Sequence, residues 1–282
     1  MPPQKRVAAI HDISCFGRCS LTVALPILSL SGIETAIIPT AVLSTHTGGF
    51  TDYTYRDLTS DILPIVEHWK SLALHFDAIY TGFLGSFEQI DILTRVFDEL
   101  ASPDTLLFVD PVMGDLGKLY TSFSDTFPHE MRKLVQKSNF IIPNITEAFF
   151  LLGRPYEPGP YTKAFIEDIL HDLSKLGPSR IVLTGVHFDE AHLGAAAYDR
   201  IANQIDIVLA ERIPGHYPGT GDIFSSALLS GLLNDKSLRR SVEIAVAYTA
   251  DAIQRTQKAN TDPRNGVNFE AGAAHLLALL QS

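Results

Sequence analysis

Pro218-Gly219-Thr220-Gly221-Asp222-Ile223-Phe224-Ser225-Ser226-Ala227-Leu228-Leu229 decides how this chain is read. Two glycines free the backbone for positive φ and for close approach by a ligand. The apolar helix that follows points its first, unpaired N–H groups back at the loop. Such a terminus suits a phosphate in transfer. Asp222 is out of place in a simple anion site, because a carboxylate beside a triphosphate repels it unless the carboxylate has separate work. That work is general-base catalysis. Asp222 accepts the proton of an acceptor hydroxyl, while the N–H groups of Gly219, Thr220, Gly221 and Asp222 offset charge on the moving phosphoryl group. A plain helix cap explains the same residues without function, since Asp and Gly are both common there.

Upstream of this loop, short β-branched or apolar runs alternate with segments of helical period, the sequence form of a parallel sheet with crossover helices. Strands are expected at 6–11, 34–39, 77–80, 106–110, 140–142 and 181–184. Helices are expected at Leu21–Leu30, with Pro26 in its first turns, and at 62–74, Phe87–Leu100, 127–136 and 162–176. From Gly194 the rhythm changes: 195–199 and 204–209 flank a polar turn and read as an antiparallel hairpin at the sheet edge. Helical spacing returns at 222–233, 238–257 and 269–280. No linker rich in Ser or Pro, no low-complexity tract and no repeat interrupts the 282 residues, so one doubly wound α/β domain over 1–282 is expected.

Composition narrows the class of function. With 46% apolar and 19% charged residues the chain has material for a buried core. A net charge of -10, with no run of Lys or Arg, argues against nucleic acid, although a nest of backbone N–H groups still holds a nucleotide's phosphates in an acidic protein. Apolar stretches such as Leu21–Leu30 are broken by Thr22, Pro26 and Ser29 and fall short of the ~20 residues a membrane span needs. Met1-Pro2-Pro3-Gln4-Lys5-Arg6 leads into a strand without the apolar run of a signal peptide, so a cytoplasmic protein is expected. Cys15 and Cys19 read as free thiols near a turn.

Ligands of open α/β sheets bind beyond the carboxyl ends of the strands. The polar clusters all follow strands: His11-Asp12 the first, 44–49 the second, Thr81-Gly82-Phe83-Leu84-Gly85 the third, 110–115 the fourth and 143–147 the fifth. Asp110, Asp115 and Glu147 offer oxygen ligands of the kind Mg²⁺ takes beside a triphosphate while keeping several waters. Asp115 and Glu147 are expected to act mainly through metal-bound water, with Asp110 near the centre. Turn formation by the two aspartates and a first-turn helix charge at Glu147 remain alternatives. Asn144 reads as a phosphate or ribose neighbour or as a turn former. Residues 212–218, with Pro214, Gly215 and Pro218, are a candidate lid or a surface turn.

Gly219-Thr220-Gly221-Asp222 opening a late apolar helix resembles the ribokinase-like superfamily, and the resemblance spans nearly the whole chain. It implies a three-layer α/β/α sandwich with a mostly parallel sheet and an antiparallel edge hairpin, with Asp222 as base and the preceding glycines as an anion hole. Asp110-Pro111-Val112-Met113-Gly114-Asp115 and Pro143-Asn144-Ile145-Thr146-Glu147 are similar to the vitamin B6 and hydroxymethylpyrimidine kinase branch, where such segments surround ATP and its metal. Thr184-Gly185 resembles the family's nucleotide-side strand end, which adds both residues to Asp115, Asn144 and Gly221 as implied ATP contacts. Ser44-Thr45-His46-Thr47-Gly48 resembles the branch's S-x-H-T-G loop and makes His46 and Thr47 candidates for the pyridine ring and its substituents. Asp12 stands where the branch has a substrate-contacting Ser, and Phe83 where it has a ring-side Tyr. Ile142 replaces a Thr that helps bind a monovalent cation.

The resemblance thus implies ATP- and Mg²⁺-dependent phosphorylation of the hydroxymethyl group of pyridoxal, pyridoxine or pyridoxamine by a cytoplasmic homodimer. His11–Ser14 and Gly117-Lys118-Leu119-Tyr120 resemble a bacterial pyridoxamine-kinase-like group, and Asp12 suits a cationic aminomethyl substituent. Hydroxymethylpyrimidine, an acceptor with the same reacting group, is the alternative. Against it, the first loop lacks a G-G-A-G-x-Q-A-D-like run, and Asp222 holds a base position where that group often has Cys. Sugar and nucleoside kinases fit less well, because their acidic and Gly-Gly motifs are missing near the N-terminus. A non-catalytic B6- or nucleotide-binding regulator would be marked by loss of the base or the anion loop, and both are present.

Overall fold

The computed structural model describes residues 4–282; residues 1–3, part of the segment read as having no signal peptide, lie outside the described residues. Chain contacts gather into two compact units, one formed by Met1–Ile62 with Ile213–Ser282 and the other by Leu63–Arg212.

The first unit begins with β1 (Arg6–Ser14), α1 (Leu21–Leu30), β2 (Glu34–Leu43) and β3 (Tyr55–Asp57), followed by the start of α2 (Thr59–Ser71). Val7, Ala8, Ala9 and Ile10 are all fully buried, which is why this run forms an interior strand. β1 and β2 pair in parallel, and both outrun their expected ends at 11 and 39. Pro39 lacks an N–H and reads as a strand breaker. Instead it sits opposite His11, where the register shifts, and pairing resumes at Ile13 and Val42. That bulge carries β1 on to Asp12 and Ser14. The three residues of β3 are exposed on both faces, so no periodicity announced them. α2 starts three residues before the expected position because Asp57 Oδ1 accepts the Thr59 N–H at 2.7 Å.

The second unit holds β4 (Ala78–Thr81), α3 (Phe87–Leu100), β5 (Leu106–Val109), β6 (Gly114–Asp115), β7 (Lys118–Leu119), α4 (Phe127–Lys137) and β8 (Phe140–Ile141). It continues through α5 (Ile145–Leu152), α6 (Lys163–Ser174), β9 (Arg180–Val186), β10 (His192–Asp199) and β11 (Gln204–Glu211). Its strands run in the order β4-β5-β8-β9-β10-β11, parallel as far as β9 and antiparallel through the edge hairpin. Rings on three neighbouring strands pack in a row, Tyr80 against Phe108 at 5.1 Å and Phe108 against Phe140 at 4.9 Å. α3 buries Ile90, Leu93, Val96, Phe97 and Leu100 on one stripe and is capped by Ser86, whose hydroxyl accepts the Gln89 N–H. α5 is not among the expected helices, although a first-turn helix charge at Glu147 was an open alternative. It has eight residues and rests on a capping box in which Asn144 and Glu147 bind each other's backbone N–H.

The first unit resumes with α7 (Thr220–Leu233), α8 (Leu238–Ala259), a 3₁₀ turn at Pro263–Asn265 and α9 (Ala273–Gln281). The helix expected at 269–280 is divided: Glu270–Gly272 is a separate 3₁₀ turn. Ser225, Ser226, Ser230 and Gly231 are buried on α7, and a Cβ at Gly231 would lie 2.8 Å from Ser241 Oγ. Small residues therefore let α7 and α8 approach closely. No helix among the described residues is long and apolar enough to cross a membrane.

Candidate active site

In the first unit, α7 opens on Gly219 at φ 81° and ψ 0°. A Cβ there would stand 1.9 Å from the Arg18 carbonyl oxygen, so glycine is required both by conformation and by the close passage of the 15–20 loop. The cap contributes no side chain to the first turn, and the Thr220 hydroxyl turns away to donate to the Tyr217 carbonyl at 3.0 Å. At Gly221 the reason for glycine differs. Nothing lies within 4 Å of where its Cβ would be, and a missing side chain keeps the helix N-terminus open.

Asp222 follows in the first turn, half-buried, and its Oδ2 accepts the Ser20 backbone N–H at 2.8 Å. Burial pushes the carboxyl up to about 7; the Ser20 N–H opposes the shift, and the negative charge of Asp12 adds to it. Asp12, at the end of β1, is 4% exposed. Its Oδ2 accepts the Ser14 hydroxyl at 3.2 Å, while Oδ1 accepts no hydrogen bond. Burial raises this carboxyl too, against the opposing dipoles of the Ser20 and Ser14 hydroxyls. The Ser20 hydroxyl thus favours the ionised form of Asp12. Cys15 and Cys19 are free thiols, as expected; Cys19 is buried, which with Asp222 and Asp12 drives its thiol well above the usual range.

The loop after β2 ties itself to the C-terminal part of the same unit. His46 Nδ1 accepts the Gly48 N–H at 3.0 Å, and Nε2 lies 2.6 Å from the Arg264 carbonyl. An acceptor at Nδ1 and a carbonyl at Nε2 require the neutral tautomer with hydrogen on Nε2. Both ring nitrogens are therefore committed to main chain. Thr47 is held exposed at the loop's tip. The His46 ring meets Phe50 edge-on at 5.0 Å, and the Arg264 guanidinium lies 5.3 Å from the Phe50 ring centre.

The second unit gathers a different cluster. Glu147 is buried; Oε1 accepts the Met113 N–H at 3.0 Å and Oε2 the Asn144 N–H at 2.8 Å. Burial holds its carboxyl well above the usual range, and the charge of nearby Asp110 pushes the same way. The Asn144 side chain is also spent locally, with Oδ1 on the Glu147 N–H at 2.9 Å and Nδ2 on the Gly114 carbonyl at 2.9 Å. Asp110 begins the loop, and its N–H donates to the Thr81 carbonyl at 3.0 Å. Asp115 lies on the β6–β7 hairpin and accepts its own turn's Leu116 N–H at 2.8 Å. The next turn residue, Gly117, donates to Thr146 Oγ1 at 3.0 Å, so the hairpin is fastened to α5. Thr184 bridges to Asn144, and Gly185 sits at φ 80° within β9.

The structure adds neighbours that the sequence did not show. Phe83 packs 5.5 Å from Phe123, which stacks on Phe127 at 3.8 Å, so it joins an aromatic row that the expectation did not include. Asp110, Asp115 and Glu147 do not form a cage: no group of three or more metal-ligating side chains occurs among the described residues. An oxygen pair without a cage fits Mg²⁺, which keeps waters and takes phosphate oxygens as ligands. Ser20 was missed altogether. A Ser directly before an expected helix reads as an ordinary cap, and nothing in the sequence marks its backbone angles.

A parallel α/β sheet whose loops carry a carboxylate next to an open helix N-terminus, and a buried acidic cluster after neighbouring strands, defines a small-molecule kinase of ribokinase-like fold. Comparison with known proteins agrees. Residues 32–267 match the family described as phosphomethylpyrimidine kinase, and the chain belongs to it. A Bacteroides thetaiotaomicron protein described under that activity, solved in an orthorhombic form with pyridoxal, is 39% identical over 97% of this chain and 96% of its own, with a TM-score of 0.93. The pyridoxal kinase of Lactobacillus plantarum is 34% identical over 98% and 97% of the two chains, with a TM-score of 0.88. Among curated proteins, the pyridoxal kinase of Arabidopsis thaliana is 29% identical over 92% of this chain and 85% of its own.

Proposed function

We infer that this chain phosphorylates the hydroxymethyl group of pyridoxal, pyridoxine or pyridoxamine with ATP as donor. The observation that carries the reading is Asp222: a carboxyl pushed up to about 7, fixed by one main-chain N–H, at the mouth of a helix whose N-terminus is open at Gly221. A base of that affinity is half-ionised near neutral pH and matched to removing a proton as the acceptor oxygen attacks. Gly219, Thr220, Gly221 and Asp222 supply main-chain N–H groups for the charge that develops on the transferring phosphoryl group, where positioning and electrostatics supply most of the acceleration.

Asp12 and Thr47 recognise the ring and its substituents, and His46 serves by holding the Thr47 loop. The resemblance makes Phe83, packed 5.5 Å from Phe123, a candidate ring-side aromatic. Asp110 and the Glu147–Asn144 box shape the Met113–Gly114 backbone next to the nucleotide, with Asp115, Thr184 and Gly185 at its rim. Mg²⁺, held near Asp110 and through water by Asp115 and Glu147, would neutralise phosphate charge. Residues 212–218 serve as a lid, with the Tyr217 hydroxyl donating to the Pro214 carbonyl at 3.0 Å as its closing bond. A cytoplasmic homodimer, built on one continuous 1–282 kinase domain, is the assembly that the resemblance to vitamin B6 kinases supports.

Incubating the protein with Mg·ATP and, in parallel, pyridoxal, pyridoxine, pyridoxamine and hydroxymethylpyrimidine tests the reading, with the phosphorylated product identified by mass. Formation of a B6 5′-phosphate is expected. Turnover of hydroxymethylpyrimidine alone would assign the alternative, and ligand binding without turnover of any acceptor would assign a regulator.

A further inference from the structure

Ser20 adopts φ 55° and ψ -131°, a region that side chains avoid and glycine occupies freely. Where the neighbouring backbone needs positive φ, at Gly17 and Gly219, the chain uses glycine. At Ser20 it keeps a side chain and holds a strain on the order of 1–3 kcal/mol. Nor does the hydroxyl repay it as a helix cap: Ser20 is the N-cap of α1, yet its side chain caps no N–H.

The conformation accomplishes something else. Residues 15–19 leave β1, and Ser20 bridges back to Ile13, which brings the turn under α7. The Ser20 carbonyl receives the first α1 hydrogen bonds, from Val23 at 3.0 Å and Ala24 at 2.9 Å, and this fixes the peptide plane on one side. On the other side its N–H is turned onto Asp222 Oδ2. A relaxed backbone at the same position would aim that N–H elsewhere. With Oδ2 pinned, the Asp222 carboxyl cannot rotate freely, and Oδ1 is the oxygen left for chemistry. A glycine would take the same shape without strain, whereas Ser20 is held in it against its Cβ by the hydrogen bonds on both sides of the peptide plane.

We propose that Ser20 is the positioning residue of the base: its strained backbone aims one N–H at Asp222 Oδ2 and so presents Oδ1 to the acceptor hydroxyl. The proposal rests on Asp222 being the base. The titratable groups around the pair are Asp12 on β1 and Cys19 before α1, with His46 near Asp12 and Tyr55 in turn raised by the charge of Asp12, while the Arg18 guanidinium is paired outward to Glu270 at 2.7 Å.

The test compares wild type with Ser20→Gly, Ser20→Ala, Ser20→Val and Asp222→Asn in phosphorylation of pyridoxal. Ser20→Gly takes the turn without strain and keeps the N–H, so it should melt within about 2–4 °C of wild type and hold kcat within about threefold. Ser20→Ala keeps the backbone and should do the same. Ser20→Val, whose β-branched side chain is excluded from this region, should turn the N–H away and lose about tenfold in kcat with both KM values nearly unchanged, and its acid limb should move to higher pH, since the N–H favours the ionised base. Amide NMR gives a reading that survives if Ser20→Val does not fold. The Ser20 N–H of the wild type should titrate at the midpoint of the acid limb, also in an Asp12→Asn background, and should lose that titration in Asp222→Asn. An inactive Asp222→Asn beside a Ser20→Val with normal kcat and acid limb, or a Ser20 amide blind to that limb, overturns the positioning role alone. An active Asp222→Asn overturns the base and the proposal together.

Discussion

Asp222→Asn should make the protein more stable at the pH where it makes it inactive. The wild-type carboxyl rises from 3.8 to about 7 on folding, mainly through burial. Its sign follows from proton linkage. Below pH 3.8 both folded and unfolded chains hold the proton and nothing is lost. Between 3.8 and 7 the unfolded chain releases it while the folded chain keeps it, so stability falls as pH rises. Above 7 the loss is complete. About three units at 1.36 kcal/mol each sets a ceiling of ~4 kcal/mol, and partial solvent access to the half-buried side chain reduces this to about 1–2 kcal/mol. Asn is isosteric and its Oδ1 still accepts the Ser20 N–H, so the substitution removes the charge and little else. Urea midpoints of the two proteins at pH 4, 6 and 8 should therefore coincide at pH 4 and separate by about 1–2 kcal/mol in favour of Asn at pH 8, a trade of stability for activity. A gap independent of pH, or a variant weaker than wild type at pH 8, would refute the burial argument.

The two glycines of the anion loop should separate in the same way. Gly219→Ala forces a methyl onto the Arg18 carbonyl at positive φ and should destabilise by ~2 kcal/mol or more in thermal unfolding. Gly221→Ala meets no atom, so its melting point should hold while kcat/KM falls by about tenfold or more as the methyl occupies the open terminus. Glu147→Ala strips the Met113 and Asn144 N–H groups of their acceptor, and should cost about 2–3 kcal/mol with faster hydrogen exchange at both amides. Asp12→Asn should lower kcat/KM for pyridoxamine about tenfold more than for pyridoxal, because only the former brings a cation to the carboxyl; equal kcat/KM for the two vitamers in the wild type would remove that idea.

How far the sequence could be read depended on whether a feature leaves a pattern. α1 and α3 were placed to the residue because their apolar spacing is local and, for α3, because Ser86 is a visible cap. The antiparallel edge hairpin was visible because two short runs flank a polar turn. The strand end expected at Pro39 fell short, since the bulge opposite it between His11 and Ile13 leaves no local pattern. α5 was hidden by length: eight residues carry little periodicity, although Asn144-x-x-Glu147 is itself a capping signature. Among site residues, chemistry-bearing types in strand-following loops were found, while the partners that fix them were not. His46 was legible as a polar loop residue, but its commitment to Gly48 and Arg264 depends on a turn 218 positions away. Ser20 shows the limit most plainly, because backbone torsion has no letter in the sequence.

The most direct measurement is kcat/KM for pyridoxal at saturating Mg·ATP between pH 5.5 and 8.5, in wild type and Asp222→Asn. The wild type should lose rate with unit slope below a midpoint near 7, and the variant should run at about one hundredth of the wild-type plateau or less, without that limb. A profile flat across the range, or an Asp222→Asn enzyme within a few-fold of wild type, would contradict the assignment of Asp222 as the base.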